Sequence, residues 1–419
     1  MKRFIIFLSI LYGIIMSAQS HPDFRLYDLR EASVDSVLLS SFDTTCTFRV
    51  HTRGITDQRE SGLCWYFSTM NILRAEAISK YGFGEFYFSQ TYGQYWDLYE
   101  KAKSWLEYVC KYRGEEWDTR IIEFLFKKPI SDGGHFMNAA HLIDKYGAVP
   151  DYAMPERYSS SHNSRLMRSI LTVLRHTGVQ LRKCRDIEIE DLKAIGLDKV
   201  RRLLDATIGV PPDEFEFCGE IYTPKSFADK YIAHNMESDY AIIMNDPTRP
   251  YYRIYEVDMR RNCFESHNWT FLNLPMSDIN VIGTSSLASG RAFYASVDTN
   301  AEGVHKAGVY ACGIFRFFDQ LDIDVNMTKE EMIRGIETTS LHALAIEGVE
   351  LDRSGKPVKW LCENSFGISR GWAGFIVLSS EWYDKYLFRV AVEKRFLSSN
   401  LIKMLSQKPE KIPAWNPIY

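Results

Sequence analysis

Glycine-rich phosphate loops are missing from this sequence: neither a GxGxxG fingerprint nor a P-loop occurs, and the GxSxG elbow is missing too. Nucleotide-binding and serine-hydrolase readings therefore have no support. The eight cysteines, Cys46, Cys64, Cys110, Cys184, Cys218, Cys263, Cys312 and Cys362, contain no CxxC pair and no zinc-type spacing, which argues against a structural zinc site. The spacings fix no disulfide pairing either; with Cys64 set aside as a free thiol an odd number is left, and most are expected to be buried free thiols. His135 and His141 lie six apart, off the i, i+4 spacing of a helical metal pair, so both read as structural or surface residues. Basic runs, low-complexity tracts and internal repeats are lacking, and the formal net charge is −4. Nothing here draws the chain to nucleic acid.

What is present is a globular composition, 46% hydrophobic and 25% charged over 419 residues. That length allows several domains or one fold with a large insertion. Near the start, Lys2-Arg3 precedes an apolar stretch from Phe4 to Met16 and then small or polar residues around Ala18, the layout of a secretory signal peptide. The stretch is shorter than the roughly 20 apolar residues of a spanning helix, and no Cys follows it for lipid attachment. Residues 1–20 are expected to be removed on export to the periplasm or medium, leaving no stable membrane anchor.

Chemistry concentrates in two places. In TDQRESGLCWYFSTMNILRAEAISK, turn-forming residues give way to apolar positions at Phe67, Met70, Leu73 and Ile78, close to helical spacing. Cys64 then falls at the first helical turn, where the helix dipole favours thiolate. A cysteine so placed reads by itself as a structural thiol. Gln58, six residues upstream, changes that, because its amide N–H and the Cys64 backbone N–H could cradle an oxyanion. Trp65 completes a Gly-x-Cys-Trp order associated with thiol peptidase nucleophiles.

The second place is C-terminal. His342 opens an alternating, strand-like run, SLHALAIEGVEL; a turn at Arg353-Ser354-Gly355 leads to PVKWLCENSFG, a second strand ending at Asn364. Adjacent antiparallel strands would set His342 beside Asn364, which could hold one imidazole nitrogen and aim the other at Cys64. Singly, these are a core histidine and a turn asparagine; together with Gln58 and Cys64 they fit one mechanism. Gly133 and Gly134, before the helical pattern HFMNAAHLIDKYG, offer open backbone to an extended peptide.

These residues resemble the bleomycin hydrolase and aminopeptidase C branch of the papain-like cysteine peptidases. The resemblance runs from about Ile55 to the C-terminus through QRESGLCWYF, FYFSQTYGQYWDLYEKA, SDGGHFMNAAHLIDKYGAVP, the NDP at Asn245 to Pro247, LHALAIEGV, ENSFG and IPAWNPIY. It implies Cys64 as nucleophile, His342 as general acid/base, Asn364 as its orienting partner and Gln58 in the oxyanion hole. Gly133, Gly134 and Trp65 match substrate-binding positions. From Cys64 to His342 is 278 positions, about twice the usual 130 to 150 of compact papains. The excess implies an insertion, about 180–280, carrying oligomer contacts.

The branch further implies a homohexamer and a C-terminal tail, here 408–419, lying in the cleft with its terminal carboxylate, on Tyr419, anchoring the substrate's free amino group. Two features depart from the pattern: Asn416 stands where an Asp is usual and the tail stops at Tyr419, and Phe366 replaces a tryptophan as the flat cover of the His–Asn bond. The expectation is an α+β papain-like fold over 21–419, hydrolysing peptides from the free amino terminus without metal or organic cofactor. An endopeptidase or dipeptidyl-type peptidase is the alternative the short tail leaves open, and a catalytically silent peptide-binding scaffold is the alternative of another class.

Overall fold

The computed structural model describes residues 24–416. The expected leader and Tyr419 lie outside the described residues. The chain is α+β, with the papain-like division into a helical side and a β-rich side.

The helix Cys64–Tyr81 is buried on nearly every side, polar Ser68, Thr69, Asn71 and Arg74 included, and therefore shows almost no amphipathic stripe. It ends at Gly82, whose left-handed backbone (φ 66°) closes the last turn onto the Ile78 carbonyl. Gln90–Lys111 and Phe136–Tyr146 pack beside it, and Ser164–Leu181 and Ile189–Thr207 add an outer helical layer. Ser89 caps the Gln90 helix by accepting the Tyr92 N–H at 3.1 Å.

A twelve-stranded sheet forms the other side among the described residues. At its centre His342–Leu351 pairs antiparallel with Phe293–Val297 and with Pro357–Glu363. The expected turn joins the last two: the Asp352 N–H bonds the Lys356 carbonyl at 2.8 Å, and Gly355 takes φ 84°. Phe375–Ser379 follows on one side, Leu387–Glu393 and Tyr240–Met244 on the other. Just before the strand Arg253–Val257, Tyr252 turns with φ 60°. The expected insertion, 180–280, contributes Tyr240–Met244, Arg253–Val257 and Thr270–Asn273 to this same sheet.

One apolar cluster fills the space between the Cys64 helix and the sheet, including Trp65, Met70, Phe136, Tyr294 and Ala343. Through it runs a buried ion pair: one guanidinium nitrogen of Arg74 lies 2.6 Å from both Glu363 oxygens, with both side chains essentially sealed from solvent. Beside it burial, and then the Glu363 charge, push the Glu347 carboxyl well above its ordinary value.

All eight cysteines are free. Cys263 and Cys362 are buried, Cys218 is exposed and the other five are partly covered, so fewer are sealed in the core than the sequence suggests. His135 and His141 are both interior. No described helix is long and apolar enough to cross a membrane, and no group of three or more His, Cys, Asp or Glu among the described residues could hold a metal.

Candidate active site

Cys64 is the first residue of its helix, with Leu63 as N-cap; Tyr66 and Phe67 N–H groups both bond the Leu63 carbonyl. The preceding turn is fastened from far away. The Gly62 N–H donates to Asp132 Oδ2 at 2.7 Å, the Trp65 indole N–H to the Asp132 carbonyl at 2.9 Å, and Asn163 Nδ2 to the same carboxylate at 2.9 Å.

Gln58 is fixed at both ends of its amide. Its Nε2 donates to the Ser61 carbonyl at 2.7 Å and its Oε1 accepts from Ser365 Oγ at 2.6 Å. An amide nitrogen carries two hydrogens, so the Ser61 bond leaves one for a ligand. The Gln58 N–H also donates to the Ser365 carbonyl at 2.8 Å, and Asp57 bridges Phe366. Gly367 makes that approach possible: its φ is 75°, and a Cβ there would meet Asp57 Oδ2 at 2.6 Å.

On the opposite wall His342 Nε2 lies 2.7 Å from Asn364 Oδ1. The same oxygen accepts the Ser365 N–H at 2.9 Å, and two donors fix which way the amide faces. The His342 tautomer follows: Nε2 carries the hydrogen that Asn364 accepts, leaving Nδ1 as the basic atom. Phe366 stacks on the imidazole, 4.7 Å between centroids and 19° between planes, and shields the bond from water.

Burial pulls the His342 pKa down to about 4, against the opposing pull of the Asn364 bond. Burial pushes the Cys64 thiol up, while backbone N–H groups of Ala343 and Trp65 bonding the sulfur act the other way. Ala343 directly follows His342, so the sulfur lies against the strand that carries the histidine. Each group alone resists ionising; a proton passed from sulfur to imidazole puts opposite charges in the one cleft, where each stabilises the other.

Cys64, Gln58, Gly133, Gly134, Trp65 and His342 all line one cleft of about 1000 Å³. Gly133 is exposed, and a Cβ there would meet Ser131 Oγ in ordinary contact at 3.8 Å. Its carbonyl and that of Ser131 accept from Lys101 Nζ at 2.7 and 2.9 Å. Gly134 is pressed on Trp65, whose ring a Cβ would meet at 2.7 Å. The indole, 1% exposed, thus acts from beneath as the floor of the glycine segment. The described end of the tail arrives at the same cleft: Arg260 donates to the Ala414 carbonyl at 3.3 Å, and Trp415 lies edge-on to Phe124 at 6.4 Å. Ser365, Asp132 and Lys101 lie within the motifs ENSFG, SDGG and YEKA, but the sequence assigned none of them a role.

The Peptidase C1-like family model matches residues 20–419. This chain belongs to that family. It is a cysteine-type peptidase with a papain-like fold. It is similar to an aminopeptidase C of Streptococcus thermophilus, 29% identical across 97% of this chain and 94% of that protein. It is also similar to the aminopeptidase C of Lactococcus lactis subsp. cremoris, 30% identical across 87% and 86%. Among solved structures, PepW of Lactobacillus rhamnosis HN001 superposes with a TM-score of 0.91 at 29% identity, covering 97% of each chain.

Proposed function

We propose that this peptidase is an exported aminopeptidase in which Cys64 attacks a peptide carbonyl. In this reading His342 Nδ1 takes the thiol proton as Cys64 Sγ bonds to the carbonyl carbon. The carbonyl oxygen, now negative, is held by Gln58 Nε2 and the Cys64 N–H. His342 then gives its proton to the leaving amine as the C–N bond breaks. Water next attacks the thioester, losing a proton to His342, and the released thiolate takes that proton back. Asn364 holds the imidazole in register throughout.

The observation that carries the reading is that His342, bonded from behind by Asn364, shares one cleft with Cys64 at a helix start and with Gln58 clamped on both sides. Action from the free amino terminus is supported by the relatives' names and by Ala414 and Trp415 lying at the cleft wall. Export is supported by the basic, apolar and small-residue order before residue 21, and N-terminal sequencing of protein recovered outside the cytoplasm tests it. A hexamer is carried by family likeness alone, and light scattering tests it. The function itself is tested with two matched fluorogenic peptides, one with a free amino terminus and one acetylated, and Cys64→Ala as control. Cleavage of the free form alone, lost in the variant, is expected; equal cleavage of both makes the chain an endopeptidase, and cleavage of neither leaves a scaffold.

A further inference from the structure

Arg261 borders two hollows, the cleft and a second cavity of about 490 Å³. Cys64, Gln58, His342 and Asn364 do not line the second one, and its size is that of an ordinary small-ligand pocket. Arg261 is fixed between the two: its Nε donates to Tyr108 Oη at 2.9 Å and its Nη1 to the Ser266 carbonyl at 2.8 Å. The body of the cavity is apolar, with Met137 from the Phe136 helix, Ile242, Ile254 and Leu272 from three strands of the sheet, and Leu405. Around it stand groups of both signs, Glu237 and Glu256 together with Lys394 and His267.

Two polar side chains that line the cavity are incompletely bonded. His141 is 4% exposed, and neither of its ring nitrogens has a hydrogen-bond partner among the described residues. The neighbouring Asn262 amide is committed elsewhere, to Asp97, the Asn138 carbonyl and the Cys263 N–H. Glu237 Oε1 lies 3.9 Å from His141 Nε2 and 3.9 Å from His267 Nε2, too far to bond either. Asn268 Nδ2 donates to Glu256 Oε1 at 2.9 Å and to Asp258 Oδ1 at 3.4 Å, which fixes the amide and leaves Oδ1 buried without a donor. Buried polar atoms cost free energy until something bonds them.

We propose that this cavity is a second binding site, apart from the catalytic groups, for a free amino acid with an apolar side chain. The apolar body takes the side chain. Glu237 and Asn268 Oδ1 accept from the ammonium group, while His267 and Lys394, whose Nζ gives one hydrogen to the Ser238 carbonyl at 2.6 Å, face the carboxylate. A purely apolar ligand would leave Glu237 and Asn268 unbonded, and an ion of one sign would be repelled by half of the charged groups. That such a molecule is also what this enzyme releases rests on the aminopeptidase reading; the binding does not.

The test is calorimetric titration of the wild-type protein with L-leucine, L-serine and N-acetyl-L-leucine. L-Leucine is expected to bind about tenfold or more tightly than L-serine, which keeps both charges without the apolar side chain, and than N-acetyl-L-leucine, which lacks the ammonium group. Glu237→Gln, at a partly exposed position, should weaken L-leucine about tenfold, and Leu405→Trp, which fills the apolar body, should remove its binding; each gives the reading should the other fold poorly. No heat from L-leucine, equal binding of L-serine or of N-acetyl-L-leucine, or L-leucine binding that survives both substitutions and so belongs to the cleft, overturns the proposal. Failure of the aminopeptidase reading shows separately, as absence of turnover of free-amino-terminal peptides by the wild type.

Discussion

On the strand wall of the cleft, His342 and Asn364 are 22 positions apart and come together through one hairpin. On the helix wall, Gln58 and Cys64 are neighbours in sequence but owe their placement to distant partners. Asp132 is 70 positions from Gly62, and Ser365 is 307 from Gln58. Arg74 of the same helix is tied to Glu363, 289 positions away. A hairpin sets its own geometry through strand register, whereas a helix start must be fastened from outside. The difference teaches that this site depends on the wall-to-wall fastenings as much as on the reacting groups.

The largest effect is expected at the deepest of those fastenings. Glu363→Ala leaves the Arg74 guanidinium buried without its carboxylate, and urea unfolding should record a loss of about 3–5 kcal/mol; a loss below about 1 kcal/mol would mean the two walls are held together by apolar packing alone. Next comes Gln58→Ala, which removes an oxyanion donor without touching His342 or Asn364. A fall in kcat of about 10²–10³ is expected, with KM changing little. Ser365→Ala keeps Gln58 but frees its Oε1, so it separates the donor from its clamp: about a tenfold fall in kcat is expected, the size of one lost buried hydrogen bond. An effect as large as that of Gln58→Ala would show that the clamp is the whole of the donor's value.

The smallest effect lies on the strand wall and is read in pH. His342 is basic only when neutral, and burial holds its pKa at about 4. Its lowered value keeps the neutral form present at all pH above that point, so kcat/KM should fall on the acid side only as pH passes down through about 4, not through the ordinary histidine value of 6.5. Because the Asn364 bond favours the protonated ring, Asn364→Ala should move that limb lower still while reducing kcat.

The same contrast explains what could be read from the sequence. Cys64 at a helix start, the two strands and the turn between them follow from local spacing and from turn chemistry, and the structure places them so. The roles of Asp132, Lys101 and Ser365 could not be read although each sits in a quoted motif, because a side chain that reaches across the fold leaves no periodicity behind it. The buried polar face of the Cys64 helix was hidden for a related reason: Asn71 and Arg74 look like surface residues until the partners that satisfy them, Thr56 and Glu363, are seen. The motifs that resembled a known branch supplied the roles, which spacing alone could not.

The central claim is that a proton passes from Cys64 to His342, making reactive a thiol that burial would otherwise keep protonated. All eight cysteines are free, so competition among them measures this directly. Native protein at pH 6 should be treated with limiting iodoacetamide and its adducts mapped by mass spectrometry, alongside His342→Ala. The account predicts that Cys64 is alkylated first, ahead of exposed Cys218, and that the His342→Ala protein loses this preference; first labelling at Cys218 with Cys64 unmodified, or Cys64 labelling that does not depend on His342, would contradict it.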